Sequence, residues 1–388
     1  MRILIDCRYV RFPRHDGISR YTSRIVGALA PLASEAGHEL EMLISDERQL
    51  EMLPDLPWRM GSEPTSPREL SIATRINAFE PDVLFSPMQT IGAKGRQYGL
   101  VLTLHDLIYY RNRTPPRNLP WYVRLAWRLY HLAWWPQRML LNRADAVATV
   151  SATTRELMKQ HRLTDRSITI VSNAADPVAS TRARRQPKTR DVLYMGSFMP
   201  YKNVETIARA LHELPGYRLH LLSRITDADR DRISALAPEG ALVIHDGVSD
   251  DEYEALLDKA FALATMSLDE GFGLPLVEAM VRGTPIVVSD IPIFREIGGS
   301  AAVYASPTDV RSVAEALRSL DDPAEWARRS KSARAQATKF DWNRSARALL
   351  ALLERVAREN AATRAEKELA EKERSERKRT KQQNPDVS

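Results

Sequence analysis

Residues 270 to 278 read Glu-Gly-Phe-Gly-Leu-Pro-Leu-Val-Glu and set two carboxylates on either side of a glycine loop. Gly271 and Gly273 lack a Cβ and permit close approach, and a helix starting at Leu274 to Leu276 would turn unpaired N–H groups toward an anion such as a phosphate. Glu278 would lie in the first helical turn, where an ionised carboxylate is favoured and can accept hydrogen bonds from two neighbouring sugar hydroxyls. Such charge-assisted bonds contribute about 1.5 to 3 kcal/mol each. Glu270 could serve a second polyol ring. A plainer reading keeps both glutamates as helix caps.

Two more strand ends carry reactive side chains. His105 follows the apolar run Val101 to Leu104, and ligands of open α/β sheets gather at such carboxyl ends, although a structural histidine fits equally. Val192 to Met195 leads into Gly196-Ser197-Phe198-Met199-Pro200-Tyr201-Lys202, a second strand-to-helix loop whose lysine suits a phosphate contact or simple solvation.

The elements that must position these groups alternate between strand and helix. Phe261 to Met266 is an apolar run of strand length, Pro275 suits the first helical position, and Gly283 ends that helix before the strand at Pro285 to Val288. Further strands are expected at Ile3 to Ile5, Leu40 to Ile44, Val83 to Ser86, Val101 to Leu104, Ala146 to Val150, Ile168 to Val171, Arg218 to Leu222 and Ala301 to Ala305, with a strand and turn at Leu242 to Val248 and helical patterns between several of them. This order argues for parallel sheets covered by helices. The length of 388 residues suits two domains. Residues 1–177 and 191–340 are the expected units, joined by a polar, basic linker at 178–190. A helix at 341–357 and a charged tail at 358–388, solvated helix or disordered, complete the chain.

Composition narrows the class. Hydrophobic residues make up 44% of the chain, and its single cysteine, Cys7, allows no intramolecular disulfide or cysteine metal cluster. Asp6 and Arg8 interrupt the apolar start, so no signal peptide is expected, nor a membrane span, and the expected location is cytoplasmic. Thr226 and Asp229 read as a helix cap rather than a metal-binding acid pair. The net charge of +6 suits anionic substrates or an anionic membrane.

Residues 107 to 144 contain seven arginines, no Asp or Glu, and Trp121, Trp127, Trp134 and Trp135. A helix after Pro120 that is apolar around most of its circumference is expected to pack in the protein core. The alternative is a peripheral contact of residues 117–138 with an anionic membrane at the inner face of the cytoplasmic membrane. No nucleic-acid motif accompanies these arginines, so nucleic acid is not an expected partner.

The acid pair, with Glu278-Ala279-Met280 and Gly283-Thr284-Pro285-Ile286-Val287-Val288-Ser289-Asp290 behind it, closely resembles the donor-site signature of the retaining family 4 glycosyltransferases, the glycosyltransferases of group 1. The resemblance runs from residue 1 to about residue 357. It implies the α/β GT-B fold: two Rossmann-like domains with parallel sheets facing a central cleft, and a final helix crossing back to the first domain. It further implies retaining, metal-independent transfer of a hexose, mannose or glucose type, from a nucleoside diphosphate sugar to a glycan or lipid-linked acceptor, with no other cofactor. Catalytic roles would fall on His105, Lys202 and Glu270. Donor binding would fall on Gly17, Ser197, Lys202, Val248, Glu270, Gly271, Phe272, Gly273, Leu274 and Glu278. One departure stands out, because relatives commonly carry arginine where this chain has Ser197; Arg224 is the substitute suggested by position. A non-catalytic nucleotide-sugar-binding subunit, or a nucleotide-sugar hydrolase or epimerase, would share the architecture.

Overall fold

In the computed structural model, which describes residues 1–13, 16–115, 120–178 and 183–383, short apolar runs become strands buried on both faces. β1 (Arg2–Asp6), β2 (Glu39–Ile44), β3 (Trp58–Met60), β4 (Val83–Ser86), β5 (Gly99–Leu104), β6 (Ala146–Thr149) and β7 (Ser167–Ile170) form a seven-stranded sheet ordered β3-β2-β1-β4-β5-β6-β7. β8 (Arg190–Tyr194), β9 (Tyr217–Leu221), β10 (Leu242–Ile244), β11 (Ala262–Thr265), β12 (Ile286–Ser289) and β13 (Val303–Ala305) form a six-stranded sheet ordered β10-β9-β8-β11-β12-β13. Every pairing is parallel. Central strands such as β4, β5, β11 and β12 are buried at every residue, as sheets covered by helices on both faces require. The edge strand β3 escaped the sequence reading because it has three residues, and Trp58 and Arg59 face solvent.

Each sheet reverses its strand order once, between β1 and β4 in the first and between β8 and β11 in the second. Crevices form at the carboxyl ends of strands at such reversals. The segments that follow β1, β8 and β11 carry Gly17, Lys202 and Glu270 respectively, so the topology gathers the expected residues.

Capping follows the sequence. Asp16 caps the first helix (Gly17–Glu35) by accepting from the Ser19 amide at 2.8 Å, and Ser151 caps the helix Ala152–Gln160. Thr226 caps Asp227–Ser234, and Ser249 with Glu252 forms a capping box. Each cap satisfies amides that a helix start otherwise leaves unpaired.

The last helix, Trp342–Gln383, lies against the first helix and against β4, β5 and β7. Its buried stripe of Ala346, Leu349, Leu352, Leu353 and Val356 recurs at helical spacing. Ser345 Oγ donates to the Ser172 carbonyl at 2.8 Å, and Gly99 leaves space for Val356, whose Cγ1 would lie 2.7 Å from a Cβ there. The charged run continues this helix, exposed from Ala361 to Arg374.

Of the linker expected at 178–190, residues 179–182 lie outside the described residues, as do 117–119 of the expected membrane-facing stretch and 384–388 of the tail. The remaining linker is tied to the second sheet's domain: Arg184 donates to the Asp258 and Ala260 carbonyls at 2.6 and 3.1 Å, and Gln186 to the Leu320 carbonyl at 2.7 Å.

Candidate functional site

A cavity of about 790 Å³ opens where the loops after β1, β8, β9, β10 and β11 converge. Eight of the expected residues line it: Gly17, Ser197, Lys202, Val248, Glu270, Gly273, Leu274 and Glu278. Gly273 has φ +89° and sits at the N-cap of the helix Leu274–Val281, a conformation that favours glycine; a Cβ would also meet Phe294 Cε1 at 3.0 Å. Gly273 thereby brings the first amides of that helix to the cavity wall.

The charged groups are arranged in pairs. Lys202 Nζ donates to Glu270, which also accepts from Ser267 Oγ at 3.2 Å. Glu278 accepts from Arg20, a residue of the first helix, whose other guanidinium nitrogen reaches Asp250 at 2.9 Å. Burial raises the Glu278 carboxyl above its ordinary value and Arg20 opposes that rise. For Arg20, burial acts to lower the guanidinium, and the charges of Glu278 and Asp250 outweigh it and hold it above the usual range.

The remaining three expected residues lie around the cavity rather than among its lining. Phe272 is buried in the core, edge-on to Phe340 at 5.6 Å. Gly271 lies against the turn after β5, with its carbonyl accepting from Ser151 Oγ at 3.2 Å. His105 stands edge-on to Tyr21 at 5.1 Å, and its Nε2 is 2.8 Å from the Pro87 carbonyl. A carbonyl only accepts, so Nε2 carries the hydrogen. Burial lowers the imidazole below its ordinary value, so at neutral pH Nδ1 is an acceptor. Beside it, burial pushes the Asp106 carboxyl up to about 6.

Glu270 also lines a second cavity of about 540 Å³, bounded by Arg111, Thr153, Leu157, Asp269 and Pro292. Across it Glu296 accepts from the Ala152 and Thr153 amides, each at 2.7 Å, and Asp269 accepts from Arg111 and Asn112, each at 3.2 Å. These bonds join the two sheets' domains beside the first cavity.

Sequence reasoning missed Arg20, Asp250 and Tyr253, all of which line the first cavity. Arg20 is one helical turn beyond Gly17, the only local signal it offered. Arg224, the substitute suggested by position, is not among the lining residues and packs on Gly247, where a Cβ would meet its Cγ at 2.9 Å.

The core reading of the helix after Pro120 is corrected. Helix Trp121–Tyr130 has no buried residue. Its inner side joins an aromatic layer, with Trp127 on Tyr109 at 5.0 Å and, just beyond the helix, Trp134 stacked on Tyr110 at 4.1 Å. The outer side has no partner among the described residues. Of the twelve large exposed apolar side chains among the described residues, seven fall between Trp121 and Met139, which makes this one concentrated patch rather than scattered exposure. No helix is long and apolar enough to cross a membrane among the described residues.

Two parallel Rossmann-like domains around a cleft, with cations, helix amides and an acid pair at the strand ends, define a GT-B glycosyltransferase architecture. Residues 15–178 match the family model described as Glycosyltransferase Family 4, and residues 179–336 match that of Glycosyl transferases group 1. The chain belongs to this family. It is 29% identical to the O-antigen chain mannosyltransferase RfbU of Salmonella typhimurium, over 47% of this chain and 53% of that protein. It is 34% identical to the glycogen synthase of Mycobacterium tuberculosis, over 52% of each. The chain thus spans about half the length of these curated relatives. The crystal structure of Anabaena HepE in complex with UDP and glucose superposes with a TM-score of 0.67 at 18% identity, covering 91% of this chain and 99% of that one, a likeness of fold.

Proposed function

We propose that the protein transfers a hexose from a nucleoside diphosphate sugar to a glycan or lipid-linked acceptor, with retention and without a metal, in the synthesis of a cell-envelope polysaccharide or glycolipid. The observation that carries this reading is Glu270, which lines both cavities and pairs with Lys202 between them. The larger cavity suits the donor and the smaller one the acceptor, with the sugar at their junction. Relatives named as mannosyltransferase and glycogen synthase support a hexose, and UDP in HepE supports a nucleotide in the cleft.

In this reading Val248 lies beside the base, Glu278 accepts from the ribose hydroxyls, and Glu270 accepts from the sugar hydroxyls. Lys202 and the amides of Gly273 to Leu276 face the diphosphate, with Gly17 and Ser197 close by. Negative charge grows on the phosphate as its bond to C1 lengthens, so donors aimed there lower the barrier more than they tighten the ground state. The C1–O bond to phosphate breaks with its electron pair leaving on phosphate. The acceptor oxygen bonds C1 from the same face, and its proton passes to a phosphate oxygen. His105, neutral and accepting at Nδ1, positions a hydroxyl of the sugar or acceptor.

A lipid-linked acceptor, at the inner face of the cytoplasmic membrane, is favoured by the patch from Trp121 to Met139. It contains exposed Arg128 and Arg138 and no acidic residue, which complements anionic lipid.

Nucleotide release by purified protein, measured against UDP, GDP and ADP sugars with and without extracted membrane lipid, tests the reading. Release that requires lipid supports transfer. Release without acceptor would identify a hydrolase or epimerase instead, and donor binding without release a binding subunit.

A further inference from the structure

The larger cavity is short of cations for a diphosphate. Among the described residues that line it, Asp16, Asp250, Glu270 and Glu278 face only Arg20 and Lys202. From the loop after β8, Ser197 adds only a hydroxyl to the lining. Lys202 comes from the same domain as the glycine loop, whereas Arg20 enters from the opposite domain, on the helix that begins at Gly17.

Arg20 holds the carboxylate on which the ribose reading depends. One guanidinium nitrogen donates to Glu278 Oε1 and the other to Asp250 at 2.9 Å. Arg20 covers Oε1 of a side chain that is only 13% exposed, so a ribose diol competes with the guanidinium for this carboxylate. Arg20 itself is 26% exposed, and once displaced from Glu278 it keeps only the 77%-exposed Asp250, so a second anion within the cavity would hold it more firmly. The nearest anion that the same ligand brings is its diphosphate, and the planar fork of arginine suits two phosphate oxygens.

Resting on the nucleotide-sugar reading above, we propose that Arg20 is a donor-binding residue contributed across the cleft: the ribose takes Glu278, and the guanidinium it displaces moves onto the diphosphate. The exchange ties closure of the two domains to occupancy, because Arg20 then bridges the first domain to the ligand instead of to Glu278.

Calorimetric titration of the full chain separates the two halves of this exchange. UDP, GDP and ADP are compared with uridine, guanosine and adenosine on wild type, Arg20→Gln and Arg20→Lys, with thermal melts to verify folding. Arg20→Gln is expected to weaken the diphosphate that wild type binds by about 10- to 100-fold. The matching nucleoside binds Arg20→Gln no more weakly than wild type, since its competitor for Glu278 is gone. Arg20→Lys, which keeps the charge, recovers part of the lost diphosphate affinity. Equal weakening of nucleoside and diphosphate would reduce Arg20 to a structural tie, and unchanged diphosphate affinity would remove the exchange altogether. Wild type that binds none of the three diphosphates would overturn the nucleotide-sugar reading itself.

Discussion

Gly271 and Asp106, from opposite domains, approach so closely that a Cβ on Gly271 would lie 2.7 Å from the Cβ of Asp106 and 3.0 Å from the His105 carbonyl. The obstruction is partly backbone, so it cannot rotate aside. Gly271→Ala is therefore expected to separate the glycine loop from the turn after β5, at about 1 to 3 kcal/mol of stability, the range for overpacking. Thermal melts read the loss, and transfer should fall with it because Glu270 is the adjacent residue. An unchanged melting temperature would mean that the domains accommodate the methyl group.

Asp106 makes that contact sensitive to pH. Its folded carboxyl is raised by burial to about 6 from 3.8, so between those values the folded state binds more protons than the unfolded state. Stability from this group is therefore present at low pH and lost as pH rises through about 6. Asp106→Asn removes the cost of burying the charge and should add no more than roughly 3 kcal/mol of stability at pH 7.5, read as a higher melting temperature, with little effect at pH 4. A variant equally displaced at both pH values would contradict this account.

His105→Ala is expected to lower kcat by about tenfold or more while the donor KM changes little, the pattern for a group that positions reacting atoms without holding the nucleotide. Since burial lowers the imidazole, any acid limb in kcat that belongs to His105 should lie below pH 6.5. Steady-state kinetics across pH on wild type and variant check both points.

Much of this was legible before the structure. β4, β11 and β12 are continuous apolar runs because both their faces are covered, and such runs mark strands without reference to distant residues. The acid pair and its glycines announced themselves by composition within nine residues. What stayed hidden depends on packing between segments far apart in the chain: Arg20 on Glu278, Gly271 on Asp106, and Glu296 on the helix that starts at Ala152. The helix after Pro120 misled for a related reason. An apolar circumference states that a helix wants burial, but not whether protein or lipid supplies it.

The exposed patch yields its own test. Trp121→Ala combined with Trp135→Ala should weaken binding to phosphatidylglycerol vesicles by about tenfold, since each indole is more than half exposed and free to enter an interface. High salt should weaken wild-type binding further through Arg128 and Arg138. Co-sedimentation measures both, and binding that ignores the tryptophans would assign the contact elsewhere.

In the proposed reaction Lys202 and Glu278 serve one nucleotide sugar from one domain while the acceptor arrives at Glu270. Nucleotide release with membrane lipid present, measured on wild type beside Lys202→Ala and Glu278→Ala, tests it most directly. Wild type is expected to release nucleotide only with lipid, Glu278→Ala to show a strongly raised donor KM, and Lys202→Ala to lose most of its kcat. Variants that release nucleotide like wild type would contradict it.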